Sequence, residues 1–312
     1  MSVGGYMKIF DLHCDALLRL WEHKDRSFTD DPNLNVNYEK LQKGKVKLQT
    51  FAIFLEPELP SDQKFQYAME QADIFHNKVI AKHEKIKKIS NWSDIRELKD
   101  DEIGAVLALE GADPIGNDIM KLRTFYQLGV KSIGLTWNNA NLCGDGTGEA
   151  RGGGLTELGF DVVRLNNQYG VLTDVSHLSQ AGFWNVIDTA DYPIATHSNS
   201  MTVCNHVRNL TDEQAQAIFS KGGFIGLVFA PQFVKEGGNA TIDDVLKHVE
   251  HFCELGGKEH IALGSDFDGI SKFVKDLEDA GQYQNLINEL LKHYSEDVVR
   301  GFAYENILNR LP

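Results

Sequence analysis

Residues 222–267 read GGFIGLVFAPQFVKEGGNATIDDVLKHVEHFCELGGKEHIALGSDF and contain a strand, a helix and a second strand in that order. The run 222–229 is short and apolar, as expected of a parallel strand buried on both faces. Thr241 with Asp244 resembles a capping box. After it Ile242, Val245, Leu246, Val249, Phe252 and Cys253 recur at spacings of three and four, the single apolar stripe of an amphipathic helix. Gly256-Gly257 stop that helix, and 260–267 form the next strand. Strand, covering helix and parallel strand make the repeating unit of an α/β fold.

Outward from this unit the pattern repeats. Strand-like runs occur at 8–15, 46–55, 103–111, 130–137, 170–177 and 193–198, which with the two above make eight. Helical patterns occupy 63–88, 155–169, 179–189 and 211–221, with two more after Asp279. No internal repeat, low-complexity tract or Pro/Ser-rich linker divides the chain. The 312 residues would also suit two domains of ~150 residues, but eight alternating strands favour one domain, 1–312. The expected fold class is α/β, a single (β/α)8 TIM-type barrel with elaborated loops. Residues 21–45, polar and irregular, read as such a loop after the first strand.

Composition narrows the partners. Hydrophobic residues form 42% of the chain and charged residues 24%, enough for a sizeable core. The net charge of −14 disfavours nucleic acid and anionic membrane surfaces. The longest apolar run, 224–230, is far too short to span a bilayer, and no basic leader with an apolar core opens the chain. A cytoplasmic location is the expectation. The four cysteines, Cys14, Cys143, Cys204 and Cys253, show no C-x-x-C spacing, so neither a disulfide framework nor a thiolate zinc site is indicated.

In such a barrel the chemistry gathers at the C-terminal ends of the strands. Those ends carry His13 and Asp15, Glu110, His177, His197 and Asp266. His13 and Asp15 stand two apart, so an extended chain points both to one face. Taken singly, each is an ordinary hydrogen-bonded polar residue. Converging together, so many ionisable groups would be costly to bury without a cation. A His/carboxylate set without thiolate suits zinc or another divalent first-row ion, and Glu110, with two oxygens, can bridge two of them. A purely structural polar cluster is the alternative. The glycine-rich segment 144–154 (GDGTGEARGGG) has neither P-loop nor dinucleotide spacing and reads as a mobile active-site loop.

The ordered motifs DLHCD (11–15), EG (110–111), DVSH (174–177), HSNS (197–200), RN (208–209) and GSDFDG (264–269) make the chain resemble the membrane (renal) dipeptidases, binuclear zinc metallopeptidases on a (β/α)8 barrel. The resemblance covers nearly the whole chain. It implies that His13, Asp15 and Glu110 hold one Zn²⁺ and that Glu110, His177 and His197 hold a second. It also implies that Asp266 shuttles a proton, that Arg208 meets the substrate carboxylate with Trp137 and Asn209 beside it, and that the protein forms a homodimer. The implied substrate is a small dipeptide, L,L or L,D. One position departs: the mammalian relatives have a histidine where Trp137 follows Leu135-Thr136, and an indole N–H donates one hydrogen bond but cannot carry a proton. Two other readings stay open from the residues: a metal-dependent hydrolase of another amide, a lactone or a phosphoester, and a non-catalytic metal-stabilised binding protein.

Overall fold

The computed structural model describes residues 6–312. The reading of residues 1–5 as free of a leader lies outside them. Nine strands form one parallel sheet: β1 (Ile9–Asp11), β2 (Val46–Phe54), β3 (Ile86–Lys88), β4 (Ile103–Glu110), β5 (Val130–Gly134), β6 (Leu172–Asp174), β7 (Pro193–Ile194), β8 (Ile225–Leu227) and β9 (Ile261–Leu263). Eight run in the order β7-β6-β5-β4-β2-β1-β9-β8. A parallel bridge between Ala195 and Ile225 then joins β7 to β8 and closes the ring, with Gly226 N–H donating to the Ala195 carbonyl at 2.8 Å. The expected eight-stranded barrel is therefore present.

The ninth strand was not expected. Residues 63–88 read as one helix, but the chain forms a helix over Lys64–Ile74, widens through Phe75–Ile80 and then extends as β3. β3 pairs Ile86 with Ile103 at the start of β4, whose partner on that side, β5, begins only opposite Leu107. Pairing between distant segments overrides a local helical pattern because the free edge of β4 needs hydrogen-bond partners. Four further helices have no counterpart in the sequence reading, Ala16–Glu22, Tyr38–Gly44, Ile119–Leu128 and the short Pro231–Val234.

Two apolar layers hold the barrel. Inward-facing Phe10, Leu48, Val106, Leu172, Ile194 and Ala262, from six different strands, fill its interior together with Phe224, which immediately precedes β8. Outward-facing residues such as Phe51, Leu107, Ile133 and Leu263 pack under the surrounding helices. The helix over Ile242–Glu254 follows its sequence pattern: the Thr241/Asp244 capping box forms, and Val245, Leu246, Val249 and Phe252 are buried. Because the interior is plugged, polar groups can gather only at the mouth. Along β4, Val106, Ala108 and Glu110 share the inward face, which carries the last of them to that mouth.

Candidate metal centre

β1 ends at Asp11, but the chain stays extended beyond it, with Cys14 bridged to Phe267, so His13 and Asp15 both reach the mouth. His13 Nε2 lies 3.4 Å from Asp15 Oδ2, 3.4 Å from Glu110 Oε2 and 3.9 Å from Asp266 Oδ1. The other oxygen of Glu110, Oε1, lies 2.8 Å from His177 Nε2 and 3.5 Å from His197 Nε2. The six predicted residues from β1, β4, β6, β7 and β9 thus meet in one place, with Glu110 between the two groups of the others. Asp266 adopts φ +64 and Asp268 φ +67, a left-handed backbone that non-glycine residues take at a cost. Gly269 leaves room there, since a Cβ on it would stand 2.3 Å from Asp15 Oδ2 and 2.5 Å from Asp266 Oδ1.

The charges are arranged for a cation. Burial and the positive charges of Arg208 and His13 hold His177 and His197 neutral, His177 down to about 4 and His197 well below the usual histidine range. Burial alone would raise Glu110, but the positive charge of His13, with the ring nitrogens of His177 and His197 close by, holds its carboxyl well below the usual range. Burial, Asp15 and Glu110 push Asp266 well above its usual range, and a bound cation would pull it down again.

Tautomers decide whether these residues fit a metal. Thr196 Oγ1 donates to Asp174, so it can only accept from His197 Nδ1, 2.8 Å away. His177 Nδ1 likewise faces Asn138 Oδ1 at 2.9 Å. Both Nε2 atoms then carry a lone pair and no proton, His177's with Arg208 Nη2 3.1 Å away, yet they stand 2.8 Å apart beside a carboxylate oxygen. Three electron-rich atoms at that spacing repel unless a cation lies among them. On the other side of Glu110, His13 Nε2 and Asp15 Oδ1 are buried without any hydrogen-bond partner. The residues fit divalent metal.

Sequence reading missed the groups that aim these ligands. Asp174 accepts Ser176 N–H at 3.0 Å, Ser176 Oγ at 2.6 Å, Thr196 N–H at 2.9 Å and the Thr196 hydroxyl. It thereby fixes the ends of β6 and β7 and, through Thr196, the His197 ring. Asp11 does the same beneath His13, taking Ser265 N–H at 2.8 Å, Ser265 Oγ at 2.7 Å and Gln49 Nε2 at 2.9 Å. The unexpected role of the 21–45 loop is to close on Asp268, whose oxygens accept Asn35 N–H at 2.7 Å and Val36 N–H at 2.9 Å. Only the strand-end position of Asp11 and Asp174 was a signal, and Asn138 had none. Asp174→Ala is expected to weaken metal affinity about 10- to 100-fold, measured by chelator competition, because it releases the His197 tautomer. An unchanged affinity would refute that role.

A cavity of about 350 Å³ opens on the site, lined by Glu110, His177, Trp137, Arg208 and Asp266 among others. Trp137 stands between Phe54, 5.4 Å between ring centroids, and His177, 5.9 Å. Arg208 is buried, with its guanidinium on the Ser176 and His197 carbonyls and Nη2 3.1 Å from His177 Nε2. Burial lowers its pKa to about 10, so it stays cationic at neutral pH. Asn209 does not line the cavity, contrary to expectation: its Nδ2 donates to Cys204 and Phe233 carbonyls at 2.8 and 2.9 Å. It braces the segment that carries Arg208. The glycine-rich stretch 144–154 is also tied rather than loose. Thr147 N–H donates to His177 O at 2.8 Å, Thr147 Oγ1 to Val207 O at 3.1 Å, and Arg151 clasps Asp145.

Barrel and mouth together define a metal-dependent hydrolase of the (β/α)8 class. The profile of the membrane dipeptidase family (Peptidase family M19) matches residues 2–311, and the chain belongs to that family of metallopeptidases. A Klebsiella pneumoniae protein encoded in the pqqA 5′ region, itself uncharacterized, is 36% identical over 232 residues, covering 70% of this chain and 85% of its own. The dipeptidase aclJ of Aspergillus oryzae is 30% identical over 91% of this chain and 72% of its own. Among solved structures, a metallopeptidase from Rhodobacter sphaeroides, liganded with a phosphinate mimic of the dipeptide L-Ala-D-Ala, superposes with a TM-score of 0.91 at 27% identity, covering 99% of this chain and 100% of that one. No helix among the described residues is long and apolar enough to cross a membrane.

Proposed function

We propose that residues 1–312 form one barrel domain that hydrolyses dipeptides, L,L and L,D, at a centre of two Zn²⁺ ions. The observation that carries this reading is Glu110, whose two oxygens face separate ligand sets, His13 with Asp15 on one side and His177 with His197 on the other. Divalent ions held by these residues would lower the pKa of a bound water and polarise the scissile carbonyl. Asp266 takes the proton of the attacking water and returns it to the leaving amine. Arg208 receives the C-terminal carboxylate, where a guanidinium can form two parallel hydrogen bonds. Its contact with His177 Nε2 uses a lone pair that a bound ion would need, so that contact and a full ligand set would exclude each other. Trp137 and Phe54 supply an apolar wall in place of a second acid–base group.

Size supports a short substrate, because about 350 Å³ is near the bottom of the ~300–1,000 Å³ span of small-molecule sites. The unpaired cysteines fit the reducing cytoplasm, where we place the protein. The test is metal analysis after zinc reconstitution together with an assay on L,L and L,D dipeptides. Two ions per chain with hydrolysis are expected, and fewer than one ion with no hydrolysis would sink the reading. Arg208→Ala should raise KM for dipeptides about 10- to 100-fold, the range of ~1.5–3 kcal/mol for a hydrogen bond to a charged group. An unchanged KM would point to a hydrolase that does not recognise a carboxylate.

A further inference from the structure

Across the cavity from Arg208 stands an exposed carboxylate, Glu56, with no ion-pair partner among the described residues. Around the barrel, the loop after β7, which holds Arg208, lies four strands from the loop after β2 in either direction. That second loop holds Glu56, and both side chains line the same cavity. Phe54 and Trp137 form the wall beside Glu56. The cation near Glu56 is Arg19, already engaged: its Nη1 pairs with Glu22 at 2.9 Å and its Nε donates to the Asp268 carbonyl at 2.7 Å. Burial, Glu58 and Glu22 raise the Glu56 carboxyl against the opposing charge of Arg19. A dipeptide with its C-terminal carboxylate on Arg208 sends its N-terminal residue to this opposite wall.

We propose that Glu56 makes the enzyme select dipeptides whose N-terminal residue is arginine or lysine. The alkyl stem lies along Phe54 and Trp137, and the charged head meets the Glu56 carboxylate at the mouth, where it need not be fully desolvated. This inference rests on the dipeptidase reading and on Arg208 as the carboxylate anchor. It goes further in assigning the side chain accepted at the far end.

The experiment compares kcat/KM for Arg-Ala with that for citrulline-Ala, a neutral substrate of the same shape, on the zinc-reconstituted enzyme. The wild type is expected to favour Arg-Ala about ten-fold, in line with a charge-assisted hydrogen bond at a partly exposed site. Glu56→Gln should bring the ratio close to one, and Glu56→Arg should reverse the preference toward Glu-Ala. Equal rates on Arg-Ala and citrulline-Ala in the wild type would overturn the proposal while leaving dipeptide hydrolysis standing. So would a Glu56→Gln variant that loses the same factor on both substrates, which would place Glu56 at the substrate's α-amine. Hydrolysis of neither substrate, nor of Leu-Ala, would overturn the dipeptidase reading and this inference with it.

Discussion

Under the proposed two-ion centre, Glu110→Gln is expected to abolish turnover to within about one part in a thousand and to lower the bound metal to one ion per chain or fewer. The substitution keeps the shape of the side chain and removes its charge. On one side of Glu110 that leaves His177 and His197 as two neutral imidazoles with no anionic ligand. On the other it removes the oxygen 3.4 Å from His13 Nε2. Losing the centre that activates the water and polarises the carbonyl costs several kcal/mol of barrier, and each ~1.4 kcal/mol is ten-fold in rate. The fold should survive, because the substitution keeps the size of the side chain and replaces a buried charge with a neutral amide. Metal analysis and kcat/KM on one dipeptide check both parts. Full activity with two ions bound would mean that Glu110 does not bridge.

Asp266→Asn should lower kcat by about 10²- to 10⁴-fold, the usual contribution of a positioned acid–base group, with little change in KM. The geometry admits a second role, because His13, Asp15 and Asp266 also lie close enough to share an ion. The longer distance from His13 Nε2, 3.9 Å against 3.4 Å for Asp15, favours the proton-transfer role. Metal content separates the two: an unchanged ion count with a collapsed kcat marks a proton carrier, and a lost ion marks a ligand. The pH profile adds an independent sign. A base must be unprotonated to act, so wild-type kcat falls as pH drops through the Asp266 pKa, and that acid limb should vanish in the variant.

The histidines and carboxylates of the centre were legible because each closes a strand-like run, and in a parallel barrel all strands deliver their ends to one rim. Trp137 was legible as a departure from a pattern, and its place in the cavity wall beside Phe54 followed only from the fold. Asn209 shows the limit of reading by adjacency. It neighbours Arg208 in sequence, yet its amide turns to the Cys204 and Phe233 carbonyls, because consecutive residues in a loop need not face the same way. The stretch 63–88 failed for another reason, as the edge of β4 offers hydrogen bonds that no periodicity announces.

By itself the sequence determined the alternation of strand and helix, the apolar runs that can be buried on both faces, and the residue types able to bind a divalent cation. These depend on local periodicity and side-chain chemistry. Only the tertiary structure decided which ring nitrogens carry a lone pair, that Asp174 and Asn138 hold them so, that the 21–45 segment closes on Asp268, and that Glu56 stands across from Arg208. Those facts depend on distances between segments far apart in the chain, and such distances are set only when the barrel closes.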